Sequence, residues 1–155
     1  MPYRICKTIE IENGHMLSKH PDNCRFPHGH SRKVEIILES TELDGSGMVC
    51  DFKAVREAVG DYIDSFDHAL CMNTADPMFE IFKKAYGERV IGFVDTEPTT
   101  EILAKTFFDK IKASITAYRS VSGARYPISD CVSLALVRVW ETSSSWAEYS
   151  EKISE

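Results

Sequence analysis

The sequence predicts an α+β fold, two strands followed by helices and then two more strands, in a single domain spanning residues 1–155. Three observations predict it. The chain up to Leu38 alternates apolar and polar residues with a period of two on either side of a polar loop. Apolar residues recur at helical spacing from Phe52 to Phe66 and again from Ile102 to Tyr118. A further apolar run of strand length ends at Glu141.

Taken in order, Tyr3, Ile5, Ile9 and Ile11 share one parity and Arg4, Thr8, Glu10 and Glu12 the other, as in a half-buried strand. If that strand runs unbroken, His15 falls on the apolar parity and faces the protein, although Asn13-Gly14 could bend the chain just before it. Met16 to Phe26 reads as a loop. His28, His30, Arg32, Val34, Ile36 and Leu38 then share the inward side of a second strand. Asp44-Gly45-Ser46-Gly47 forms a tight turn, Met48-Val49-Cys50 a short extended piece, and Asp51 the N-cap of the first helix. A short helix starts at Pro77 and stops at Gly87, and Arg89 to Val94 is apolar enough to be extended. Pro98-Thr99-Thr100 caps the long helix, Ser120 to Pro127 is a loop, Val132 to Glu141 a central strand, and Trp146 to Ser150 a last strand.

Composition narrows the function classes. A net charge of −6 argues against broad nucleic-acid binding, while leaving room for an anionic small molecule at a local basic patch. Lys19, His20, Arg25, Arg32 and Lys33 lie near the histidines, and basic residues of this kind are ordinarily solvated. No run is long enough to span a bilayer and the start carries no signal-peptide pattern, so a cytoplasmic location is expected. Five scattered cysteines suit reduced thiols, with Cys6 and Cys131 expected to be buried as small hydrophobes.

The chemistry concentrates in Cys24-Arg25-Phe26-Pro27-His28-Gly29-His30. Imidazoles at i and i+2 of an extended chain point the same way, so His28 and His30 can converge on one ion. His15 can supply a third ligand and leave the fourth tetrahedral position of a Zn²⁺ open. The same residues also fit a plain turn with two exposed histidines. Asp67-His68 reads either as a surface or capping pair or as a general acid/base oriented by a carboxylate. Glu141 is either a solvated strand end or the floor of a pocket.

Together these residues resemble the 6-pyruvoyl-tetrahydropterin synthase and 6-carboxytetrahydropterin synthase family, in matches that run in order from about Ile5 to the C-terminus. The resemblance implies His15, His28 and His30 as zinc ligands, Cys24 in proton abstraction, and Asp67 and His68 as its catalytic partners. Pro98-Thr99-Thr100-Glu101 is similar to the family's helix start and implies Thr100 and Glu101 as substrate-binding residues. Glu141-Thr142 is similar to its terminal-strand motif, with Glu141 as the pterin anchor. The cysteine spacing is similar to the carboxytetrahydropterin branch. Ile11-Glu12-Asn13-Gly14-His15 departs from the usual Phe-x-Ala-Ala/Ser-His, the 73–97 segment is longer than in compact bacterial members, and Trp140 is less usual.

What the resemblance implies is a tunnelling fold (T-fold), a four-stranded antiparallel sheet with helices packed on one face, assembling into a homo-oligomer, often a hexamer. The implied substrate is a pterin triphosphate, 7,8-dihydroneopterin triphosphate, with 6-carboxytetrahydropterin as product. The alternatives are 6-pyruvoyltetrahydropterin formation and a non-catalytic zinc or pterin-binding module. Chemically, a nearby cation and Arg25 would favour the active thiolate of Cys24, and Glu141 would accept two N–H groups of a 2-amino-4-oxo ring.

Overall fold

The computed structural model describes residues 1–151, so the last positions of the expected domain, 152–155, lie outside the described residues. The elements are β1 (Tyr3–His15), β2 (His28–Ser40), α1 (Phe52–Asp64), β3 (Ala69–Asn73), α2 (Phe79–Tyr86), β4 (Val90–Phe93), α3 (Thr100–Arg119), β5 (Ser133–Thr142) and β6 (Ser145–Tyr149). The strands form one six-stranded sheet in the order β4-β3-β1-β2-β5-β6. β1 and β2 pair antiparallel along their whole length, from Tyr3 opposite Ser40 to His15 opposite His28.

The expected antiparallel core of β1, β2, β5 and β6 is present, and two further strands extend it: β3 runs parallel to β1, and β4 parallel to β3. The sheet is therefore six-stranded and mixed rather than four-stranded and antiparallel. β3 escapes a search for alternation because Cys71 and Met72, on opposite faces, are both fully buried.

Ile9, Ile11, Val34, Ile36, Leu38, Val137 and Val139 share the face on which α1 and α3 pack. The remaining helix, α2, does not join them. Cys71 belongs to that core, but its neighbour Met72 points the other way, into a cluster of Met16 and Val90 flanked by Leu70, Phe79 and Phe82, so α2 covers the opposite face. Asp51 caps α1 by accepting from the Lys53 N–H at 2.8 Å, and Thr99 caps α3 by accepting from the Ile102 N–H at 3.2 Å. α2 begins at Phe79, just after Pro77, and stops at Gly87, whose φ of 59° suits glycine.

Two local expectations change. Met48-Val49-Cys50 forms no strand, although Val49 and Cys50 enter the core. Cys6 and Cys131 are exposed, and the buried cysteines are Cys50 and Cys71. Cys6 lies on the face of β1 opposite to Ile9 and Ile11, and that parity of the strand stays exposed there.

The strand does run unbroken through Asn13-Gly14. A side chain at Gly14 would come within 3.3 Å of both the His28 carbonyl and Leu70, so glycine permits the close approach of β2 and β3 there. The core-facing parity consequently continues through Asn13 and His15 on β1 and through Arg32 and His30 on β2. A hydrophobic face thus ends in a polar site.

Candidate metal centre

His15, His28 and His30 come together, each offering a ring nitrogen, with all three nitrogens within 4.8 Å of one another. The His15 and His30 Nε2 atoms are 3.2 Å apart. Two ligand nitrogens on a tetrahedral zinc stand about 3.3 Å apart, given bonds of about 2.05 Å.

The outer ring nitrogens set the tautomers. His15 Nδ1 lies 2.8 Å from the Pro98 carbonyl and His28 Nδ1 lies 2.7 Å from the Phe26 carbonyl. A carbonyl only accepts, so both Nδ1 atoms carry the proton and both Nε2 lone pairs turn inward. Arg32 Nη2 also approaches His15 Nδ1, at 3.4 Å, but a guanidinium only donates, and the shorter carbonyl contact decides. His28 Nε2 is buried with no hydrogen-bond partner. An orphaned acceptor of this kind is costly unless something binds it. The donor set fits a divalent cation such as zinc.

Electrostatics favour the neutral form of His15 and His30. Burial, reinforced by the Arg32 charge, pushes His15 down to about 4 against the opposing pull of the Pro98 carbonyl. His30 is lowered chiefly by burial and next by Arg32, with Glu141 opposing. The unfolded imidazole of His15 protonates near 6.5 and the folded one only near 4, so the unfolded state holds more protons between those values and stability falls as pH drops through them. Chelator-treated protein is therefore expected to melt at progressively lower temperature from pH 6.5 toward 4, with the upper part of that window lying above the range where most carboxylates titrate. A melting temperature flat across that window would contradict a neutral, buried His15.

Glu141, near the end of β5, places Oε1 3.6 Å from both His15 Nε2 and His30 Nε2, and that oxygen accepts from the Thr100 hydroxyl at 3.2 Å. Thr100, Glu101, Glu141 and Cys24 line one cavity of about 280 Å³. Glu141 and Trp140 line another of about 560 Å³, whose Gly29-His30-Ser31 wall also borders a cavity of about 570 Å³ containing His68 and Arg89. Cys24 and His68 thus border different cavities. Arg25, beside Cys24, stacks its guanidinium over the Phe26 ring at 4.9 Å.

Asp67 and His68 pair as expected, Asp67 Oδ2 lying 2.8 Å from His68 Nδ1. Both are pinned to β1: the Glu12 N–H donates to Asp67 Oδ1 at 2.7 Å, and the His68 N–H donates to the Glu12 carbonyl at 2.6 Å. The Glu12 N–H, followed by the His68 contact, holds the Asp67 carboxyl below its ordinary range. His68 takes a φ of 55°, a conformation that turns the ring from the helix exit into the mouth of the cavity.

Arg32 is the residue that reading the sequence as a set of solvated cations misplaces. It is 1 % exposed, and its Nε and Nη1 donate to Asn13 Oδ1 at 3.2 Å and Thr100 Oγ1 at 3.1 Å. Its shared parity with His28 and His30 was the available signal.

A curled mixed sheet ending in three convergent imidazoles beside a carboxylate defines a T-fold protein with a site able to hold a metal ion. The family model for 6-pyruvoyl tetrahydropterin synthase matches residues 4–152, and the chain belongs to that family. It is 31 % identical to the 6-carboxy-5,6,7,8-tetrahydropterin synthase of Aquifex aeolicus, over 98 % of this chain and 100 % of that one. It is 26 % identical to the enzyme of the same name from Haemophilus influenzae, over 96 % and 99 % of the two chains. Among solved structures, an uncharacterized protein of Wolinella succinogenes superposes with a TM-score of 0.77 at 24 % identity, covering 98 % and 99 %. The Caenorhabditis elegans 6-pyruvoyl tetrahydropterin synthase superposes at 0.64 and 21 %, covering 98 % and 97 %. At those identities the structures establish the fold alone.

Proposed function

We propose that this chain is a zinc-dependent lyase, a 6-carboxy-5,6,7,8-tetrahydropterin synthase of a single domain. It converts 7,8-dihydroneopterin triphosphate and one water to 6-carboxytetrahydropterin, acetaldehyde and triphosphate, on the route to 7-deazaguanines such as queuosine. The observation that carries the reading is the orphaned His28 Nε2 facing the inward nitrogens of His15 and His30 beside Glu141. The choice of product rests on the full-length relatives that bear this name.

In this reading His15, His28 and His30 hold the zinc, which when bound polarises a side-chain hydroxyl or carbonyl and acidifies the neighbouring C–H. Cys24 Sγ, as thiolate, takes that proton. His68 moves the second proton from Nε2, because its Nδ1 is held by Asp67. Glu141 accepts the paired N–H groups of the pterin ring. Thr100 already donates to one of its oxygens, and a carboxylate oxygen has a second lone pair to offer. Glu101 borders the same cavity. The cavity beyond His30, with His68 and Arg89 on its wall, suits the anionic end of the substrate. Assembly into a homo-oligomer, such as a hexamer, and a cytoplasmic location complete the proposal; among the described residues no helix is long and apolar enough to cross a membrane.

Zinc-loaded protein supplied with 7,8-dihydroneopterin triphosphate is expected to release one acetaldehyde per substrate consumed, measured by coupled alcohol dehydrogenase. Substrate loss without acetaldehyde would instead give 6-pyruvoyltetrahydropterin, the product named for several of the solved relatives. Pterin binding with no turnover would leave a non-catalytic module.

A further inference from the structure

Arg32 carries a full charge in a place where an apolar side chain would cost less. Removing a guanidinium from water is expensive, and a neutral partner recovers less of that cost than a carboxylate. Yet the described side-chain hydrogen bonds that Arg32 donates go to neutral groups, Asn13 Oδ1 and Thr100 Oγ1. The carboxylate in this network is one step further on. Thr100 accepts from Arg32 Nη1 at 3.1 Å and donates to Glu141 Oε1 at 3.2 Å, so the hydroxyl relays the cation to the carboxylate. Burial lowers the Arg32 pKa, and the Glu141 charge is the largest influence pulling it back up.

The far side of the network reaches the other half of the site. Asn13, whose oxygen takes Arg32 Nε, uses its Nδ2 to donate to the Phe66 carbonyl at 2.9 Å, immediately ahead of Asp67-His68. Arg32 and Asn13 therefore form a unit behind the imidazoles.

We propose that Arg32 is a positioning residue: through the Thr100 hydroxyl, its buried guanidinium fixes the Glu141 carboxylate at the rim of the three-imidazole cradle, oriented to receive the pterin ring. This deepens the reading of Glu141 as pterin anchor and rests on it. Without the relay Glu141, whose side chain is 35 % exposed, is free to turn into solvent.

The test is a double-mutant cycle on Arg32→Met and Thr100→Val, read by quenching of neopterin fluorescence on zinc-loaded protein and by crystal structures of the variants. Each single change is expected to weaken neopterin binding about ten- to a hundredfold, as loss of a hydrogen bond to a charged group does. The double variant is expected to be no worse than the worse single, because both changes cut one relay. Zinc occupancy should stay at the wild-type value, and Glu141 Oε1 should leave its position near the histidines. Multiplying losses, unchanged affinity, or an unmoved Glu141 in Thr100→Val would overturn the proposal. Thr100→Val keeps the buried charge and stands in if Arg32→Met does not fold. If wild-type protein binds no neopterin, the pterin-anchor reading fails separately, and the Glu141 position in Thr100→Val alone decides the relay.

Discussion

Replacing His28 with alanine is expected to abolish stoichiometric zinc binding and to lower turnover on the order of a thousandfold. A bound metal contributes several kcal/mol of transition-state charge stabilisation, and each ~1.4 kcal/mol is tenfold in rate. His28 is the informative choice among the ligands. His15 is fully buried and bonded to the Pro98 carbonyl just ahead of α3, so its removal would also disturb packing. The described hydrogen bond of the His28 ring runs only to the nearby Phe26 carbonyl, and its Nε2 is already unpartnered without metal. The metal-free fold should therefore tolerate the change, and circular dichroism should show wild-type helix and strand content. Retention of one zinc per chain with normal turnover would remove His28 from the centre.

Substituting Cys24 by alanine separates proton transfer from metal binding. Loss of a positioned general base typically costs 10²–10⁴-fold, and a loss of about that size in kcat is expected. Zinc content and neopterin affinity should remain at wild-type levels, since Cys24 borders the Glu141 cavity from the short turn at Asn23–Arg25 and is not one of the clustered nitrogen ligands. Serine should not restore the rate, because a hydroxyl is far less acidic than a thiol and forms no appreciable anion at neutral pH. Unchanged turnover in Cys24→Ala would make the thiol a bystander and shift the search for the base to His68.

Much of the centre was legible because it obeys the two-residue period of a strand. His28, His30 and Arg32 lie on one parity with Val34 and Ile36, and His15 on one parity with Ile9 and Ile11, so pairing β1 with β2 brings the histidines to one face. β3 was not legible for the opposite reason: a short strand covered on both sides loses its alternation. The placement of α2 on the other face follows from Met72, whose partner cluster exists only once β3 is in the sheet. The role of Arg32 was hidden because a basic residue beside a polar loop is normally solvated, and only tertiary packing brings Asn13 and Thr100 to its guanidinium. Cys6 and Cys131 are exposed because of where the fold places them, which single-residue chemistry does not report.

The central claim is a zinc held by three imidazoles with one position left for water or substrate. X-ray absorption at the zinc edge of the substrate-free wild-type protein tests it directly. The predicted spectrum has only nitrogen and oxygen neighbours at about 2.0–2.1 Å, with the outer scattering of imidazole rings. A sulfur neighbour at about 2.3 Å would make Cys24 a ligand rather than a base and would contradict the assignment.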